Sequence, residues 1–229
     1  MDIQYNIITI KEKIKAAAER AGRQNEKIEI VAVTKTVSPE RIQEAYQAGL
    51  KNFGENRVQE WQQKKDFLPA DCKWHIIGRL QTNKVKYLDK SVVLIHSLDR
   101  FSLLEKLQAE GEKRQIIWQT LVQVNVAQDE AKAGLAVEEV KDFVETVKSY
   151  SHVRVLGLMT IGALDASPEE TRGFFRQLRE IKEELIRKGI SQREELPHLS
   201  MGMSQDYELA VEEGATLVRI GSSIFGHRN

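Results

Sequence analysis

The chain has 229 residues, 41% of them hydrophobic and 30% charged, a globular composition that excludes a disordered or fibrous polypeptide. Lys plus Arg total 34 and Asp plus Glu total 34, and a formal net charge of zero argues against broad electrostatic attachment to nucleic acid or an anionic membrane. A single cysteine, Cys72, excludes an intrachain disulfide framework and a Cys-rich metal site, and no apolar run approaches the ~20 residues that cross a bilayer.

The N-terminus, Met1 to Asn6, lacks a basic segment followed by an apolar one, so no secretory leader is expected and a cytoplasmic protein is the economical reading. Ile7, Ile10, Ile14, Ala17 and Ala18 recur at helical spacing and predict a helix that closes near Gly22. The β-branched run Ile28 to Val33 predicts a buried strand. Ser38-Pro39 then opens a helix, serine as N-cap and proline in the first turn, and Gly49 ends it. Further strands are predicted at 51–53, 74–77, 92–95, 120–124, 155–159, 198–200 and 217–220. Helices are predicted between them at 57–65, 100–110, 137–150, 168–188 and 205–213, with only a short one at 81–87. Ser167 and Glu170 form a capping-box pair before the longest. Eight strands alternating with helices imply an α/β fold with a parallel sheet, closed as a (βα)8 TIM barrel and forming a single domain over 1–229. An open doubly wound sheet is the alternative, and the first helix is expected as an addition packed against one end.

In such a barrel chemistry sits at the C-terminal ends of the strands, with phosphate often bound after strands seven and eight. Lys35 follows the first strand on the same face as Val31 and Val33. Desolvation there would free its amine as a nucleophile or Schiff-base former, whereas snorkelling to solvent is the bland reading. Ser200-Met201-Gly202-Met203-Ser204 follows strand seven and Gly221-Ser222-Ser223 follows strand eight. Each cluster alone is ordinary turn chemistry, but a pair on adjacent strands suits a phosphate cradle. Arg219, between Val218 and Ile220, needs either a structural carboxylate partner or the ring nitrogen of a cofactor. The histidines 75, 96, 152, 198 and 227 have no zinc-enzyme spacing, and His75 and His96 read as satisfied polar residues at separate strand ends. The basic stretch Arg79, Lys84, Lys86, Lys90 reads as a solvated face rather than a nucleic-acid site.

With these residues placed, the sequence resembles the pyridoxal phosphate homeostasis proteins, whose fold is that of the N-terminal barrel of alanine racemase. The matching stretches are Val31 to Lys35, Phe53 to Arg57, Trp74 to Lys84, Gly157 to Met159, Leu199 to Ser204 and Val218 to Gly226. Many relatives carry Gly-Thr where this chain has Gly221-Ser222, and serine keeps the hydroxyl. The resemblance implies pyridoxal 5′-phosphate held as a Schiff base on Lys35, with Arg219 facing the pyridine nitrogen. It places Ser200, Gly221 and Ser222 on the phosphate and Asn56 beside the ring. It further implies a cytosolic cofactor carrier in vitamin B6 and amino-acid balance, without an established reaction. Apo-enzymes that use the cofactor are its expected recipients, and a monomer is expected.

Two enzymatic readings compete. A racemase needs acid/base groups on both faces of the substrate, and one of them is supplied by a tyrosine from a second domain in the alanine racemase relatives. This chain stops at His227-Arg228-Asn229, and Tyr5, Tyr46, Tyr87, Tyr150 and Tyr207 fall mostly on helices or helix ends. A sugar-phosphate isomerase or aldolase needs a carboxylate pair at the barrel mouth, for which Glu55 and Asp99 are the candidates, both expected as loop residues without a clear partner.

Overall fold

Short β-branched and apolar runs separated by capped helices fold into eight parallel strands. In the computed structural model, which describes residues 2–129, 132–163 and 165–226, they are β1 (Glu29–Val33), β2 (Asn52–Glu55), β3 (Lys73–Ile76), β4 (Val92–Leu98), β5 (Trp118–Gln123), β6 (Val153–Met159), β7 (His198–Ser200) and β8 (Leu217–Ile220). They follow one another around a closed barrel, and β8 pairs with β1 so that Val31 lies opposite Arg219. The expected (βα)8 barrel is therefore what forms. The chain end at 227–229, His227 included, lies outside the described residues.

The helices are α1 (Ile3–Arg20), α2 (Pro39–Gln47), α3 (Val58–Lys64), α4 (Phe101–Arg114), α5 (Val140–Val147), α6 (Pro168–Arg187), α7 (Tyr207–Glu212) and α8 (Ser222–Phe225). Ser167 and Glu170 form the expected capping box at α6, which supplies about 1 kcal/mol of helix stability. The segment predicted as one helix over 137–150 is a 3-10 turn followed by α5, and 82–87 is a 3-10 turn throughout. Among the described residues no helix is long and apolar enough to cross a membrane.

One expectation is corrected. The first helix does not cap one end of the barrel but takes a place in the outer ring, packed against α7, α8 and α2. The reason is geometric: α8 is a single turn and leaves the flank of β8 and β1 uncovered. The stripe Ile3, Ile7, Ile10, Ile14, Ala17 and Ala18 supplies the missing apolar cover.

Most of the core lies between sheet and helices, while a smaller cluster of Val31, Val33, Ile77, Leu94, Leu121, Met159 and Leu217 fills the lumen. The lumen is tight at Gly54, where a Cβ would come within 2.9 Å of Val31 Cγ1. Polar side chains occupy the rest of it, and they lead to the site.

Candidate cofactor site

A cavity of about 900 Å³ opens at the C-terminal ends of the strands. It is lined by Lys35, Ser204, Asp206, Arg219, Gly221 and Ser222 among others, so four of the six residues singled out in the sequence face one space.

The β1 side holds Lys35 without touching its amine. Thr34 N–H donates to Gly54 O at 3.0 Å, and Thr34 Oγ1 donates to Glu55 Oε1 at 2.7 Å. Lys64 Nζ donates to Thr34 O and to Glu55 Oε1, each at 2.8 Å. Glu60 takes the Thr36 N–H at 3.0 Å, with Thr36 itself at φ 61°, an uncommon backbone for a β-branched residue. Burial raises the Glu55 carboxyl above its ordinary range despite Lys64 and Thr34, and its second oxygen has no partner among the described residues. For Glu60, burial acts to raise the carboxyl, but the Thr36 N–H and Lys64 outweigh it and bring it below the usual range. Lys35 is half-buried and, among the described residues, its Nζ makes no hydrogen bond or ion pair.

The sequence reading of Glu55 as an unpartnered loop residue is corrected, and Asp99, which does lie in the loop after β4, is not unpartnered either. Glu55 ends β2 and is fully buried against Lys64, because the two-residue alternation turns it away from the lumen toward α3. Asp99 pairs with Arg100 and, at 3.5 Å, with Arg79. Neither lines the cavity.

The β7–β8 side instead anchors its key side chain by two hydrogen bonds. Arg219, only 4% exposed, donates to Ser200 Oγ at 2.7 Å and to Thr160 O at 2.9 Å. Burial lowers its guanidinium to about 10, with Asp206 opposing the shift, so it stays cationic at neutral pH. The structural carboxylate contact weighed for Arg219 is thus replaced by a hydroxyl and a carbonyl. Ser200 is fully buried, its oxygen shared between Arg219 and His96 Nδ1 at 2.9 Å. It lies beneath the cavity lining, since alternation along β7 points it into the lumen.

Above it, Ser204 Oγ accepts the N–H groups of Gly221 at 3.2 Å and Ser223 at 3.3 Å, joining the two glycine-serine clusters. Gly202 permits this turn: it has φ 85°, and a Cβ there would sit 2.4 Å from that of Ala210. Asn56 is half-buried just past β2 and is packed tightly, its backbone oxygen 2.6 Å from where a Cβ on Gly78 would stand. It does not line the cavity.

Sequence reasoning missed Ser204 as a site residue, although it stands inside a quoted cluster, and it missed Asp206, Glu60 and Lys64. It read His75 and His96 as satisfied polar residues; they satisfy each other, Nδ1 of His75 lying 2.9 Å from Nε2 of His96. The signal was their strand alternation, hidden because β4 runs on to Leu98 and places His96 inside the sheet rather than at its end.

This geometry meets a clear set of relatives. The family model described as the N-terminal domain of alanine racemase matches residues 6–229. A pyridoxal phosphate homeostasis protein of Aquifex aeolicus is 50% identical, covering 95% of this chain and 94% of its own. The chain belongs to the pyridoxal phosphate homeostasis protein family. The family member of that name from Escherichia coli K12 is 34% identical over 100% of this chain and 97% of its own. The solved structure of PipY from Synechococcus elongatus PCC7942 with PLP bound superposes with a TM-score of 0.85 at 32% identity, covering 98% of this chain and all of that one (100%). Alanine racemase of Clostridium difficile 630, 14% identical with a TM-score of 0.76 and covered over 57% of its length, shares the fold.

Proposed function

We propose that the chain, 1–229 acting as one barrel, binds pyridoxal 5′-phosphate in the mouth cavity and serves vitamin B6 homeostasis and amino-acid balance in the cytoplasm rather than catalysing a reaction. The observation that carries this reading is the donor set of one cavity: a primary amine on β1's side that is unpaired among the described residues, a buried guanidinium on β8, and the Ser204 and Ser222 hydroxyls beside Gly221 above it. Those three match the cofactor's aldehyde, ring nitrogen and phosphate. When bound, the cofactor supplies an aldehyde carbon for an amine and a conjugated ring that withdraws electrons.

Lys35 would hold the cofactor covalently as a Schiff base, since among the described residues no neighbour competes for its nitrogen. Gly221 and Ser222, with Ser204, hold the phosphate. Ser200, buried beneath the lining, acts through Arg219 instead. Asn56, at the end of β2 and outside the cavity lining, was expected beside the ring, and the proposed site is made without it. Arg219 has donors only and leaves a ring nitrogen unprotonated, which keeps the electron sink shallow. Among the described residues no tyrosine lines the cavity, so the group a racemase would need on the second face has no candidate. The sugar-phosphate reading loses its carboxylates, since Glu55 and Asp99 are spent elsewhere. The relatives from Aquifex aeolicus and Escherichia coli, at 50% and 34% identity, carry a homeostasis name and not that of a reaction. A monomer that delivers the cofactor to apo-enzymes completes the reading.

The test is direct. The purified protein should be yellow, and borohydride should fix the cofactor on the peptide containing Lys35. A Lys35→Ala variant that keeps the same reducible absorption overturns the assignment. Timed transfer to an apo-enzyme tests delivery, and rapid α-proton exchange of L-alanine in deuterated water would restore the racemase reading.

A further inference from the structure

A line of hydrogen bonds crosses the barrel from one mouth to the other. It starts at Arg219 on β8 and passes to Ser200 Oγ at 2.7 Å, then to His96 Nδ1 at 2.9 Å. His96 Nε2 lies 2.9 Å from His75 Nδ1, and His75 Nε2 lies 3.2 Å from Asn52 Oδ1. Asn52 Nδ2 finally donates to Glu29 Oε2 at 3.0 Å, at the N-terminal end of β1. The step from His96 on β4 to Ser200 on β7 joins strands that are not neighbours, so it runs through the lumen. His75, His96 and Ser200 are 3%, 0% and 0% exposed.

The proton positions follow from the anionic end and are compatible with the cationic one. Arginine only donates, so Ser200 accepts from it and keeps one hydroxyl proton and one lone pair for His96 Nδ1; when the proton is what it offers, the rest of the order follows. A neutral His96 then carries its proton on Nε2 and donates to His75 Nδ1, which puts the His75 proton on Nε2 as well. From the far end, the Glu29 carboxylate only accepts, so Asn52 turns its amide nitrogen toward it and its oxygen toward His75. That oxygen requires a proton on His75 Nε2. The anionic end demands this order and the cationic end accommodates it, so every donor points from the cation toward the anion. Burial favours the neutral form of both rings, bringing His75 down to about 3 and His96 well below its ordinary value.

We propose that His75 and His96 are positioning residues for the cofactor site, a proton-ordered chain anchored on Glu29 that fixes Arg219 in place. It does so by leaving Ser200 Oγ with no proton of its own to offer, so that its lone pairs stay turned to the guanidinium. This rests on the reading of the mouth cavity as a pyridoxal phosphate site, and the two can fail separately. The chain also explains why the lumen tolerates two adjacent histidines where apolar residues would pack: a protonated ring at either position would set two donors face to face.

The experiment combines nitrogen-15 NMR of the apo-protein with cofactor titration. At pH 7 both rings should show the neutral pattern with the proton on Nε2. Asn52→Leu, at the end remote from the cavity, should release His75 into mixed tautomers. His96→Leu removes the acceptor for Ser200 and should weaken retention of pyridoxal phosphate about tenfold, the scale of one hydrogen bond involving a charged group. It should also shift the absorption maximum of the bound cofactor, while borohydride still captures it on Lys35. A purely structural role would lower the unfolding temperature and leave that maximum unmoved, which overturns the proposal. Either ring with its proton on Nδ1 in the wild type overturns it even if the leucine variants fail to fold. If the wild type shows the assigned tautomers and takes up no pyridoxal phosphate, the cofactor reading falls and the positioning role with it, while the proton order stands.

Discussion

The two sides of the mouth hold their key residues by opposite means. On the β1 side, buried charges grip the backbone around Lys35: Lys64 binds Thr34 O and Glu55, and Glu60 binds the Thr36 N–H. Among the described residues the side chain they present is left without a partner. On the β8 side, a chain of neutral groups anchors the Arg219 side chain itself. A group that must form a bond has its backbone fixed and its nitrogen free, whereas a group that only orients has the side chain itself pinned.

The sharpest way to break the first side is Lys64→Met. Removing one partner of a buried pair leaves the other charge uncompensated and costs about 3–5 kcal/mol. Because burial raises Glu55 in the folded state, protonation relieves it: the folded state binds more protons than the unfolded one, and stability falls as pH rises through the folded value. The variant's deficit, measured by urea unfolding, should therefore be wide at pH 8 and narrow toward pH 5. A deficit that widens in acid would mean that Glu55 is held ionised by something other than Lys64.

On the other side the first consequence is in binding. Ser222→Ala should weaken cofactor retention about tenfold, the low end of one hydrogen bond to a charged group, with the unfolding temperature unchanged. Unchanged retention would take the β8 cluster out of the site. The pH sign is also reversed. His75 and His96 are lowered by burial, so the unfolded chain takes up protons below about 6.5 while the native rings resist. Stability present above that pH is lost as pH falls, by about 1.4 kcal/mol per pH unit for each histidine. Replacing His96 by leucine should flatten the slope between pH 6 and pH 4.5 by about that amount. Acid thus loads the β8 side and relieves the β1 side.

How much of this was legible depended on the range of the interaction. The barrel followed from periodicity and caps, which are local, and so did Lys35, placed by alternation from Val31 and Val33. The pairing of the two glycine-serine clusters followed once the strands were counted. The Glu55–Lys64 pair did not follow, because nine residues and a change of element separate its partners and only packing brings them together. The chain from Arg219 to Glu29 draws on six strands, and no spacing in the sequence encodes a contact across a lumen. Ser200 shows the cost: read by its neighbours it belonged with the phosphate, read by its strand it belongs beneath it. The first helix was misplaced for a similar reason, since the need for it arises only from the shortness of α8 at the other end of the chain.

The smallest expected effect is the most informative about the first side. Thr36 sits at φ 61°, held by the Glu60 carboxylate on its N–H. A left-handed backbone costs a residue with a Cβ about 1–2 kcal/mol, and glycine recovers that at an entropic cost of about 0.5–1 kcal/mol. Thr36→Gly should thus stabilise the apo-protein by about 0.5–1 kcal/mol, read as a modest rise in urea midpoint. If the strain serves to aim Lys35, the same variant should capture pyridoxal phosphate more slowly, because the loop gains conformations in which the amine points elsewhere. Glu60→Gln provides the complementary case: the strain remains but the grip on the N–H weakens, so both stability and capture should fall. A Thr36→Gly protein that is more stable and captures the cofactor at the wild-type rate would show that the left-handed turn is incidental to the placement of Lys35. The comparison between the two sides would then rest on charge alone.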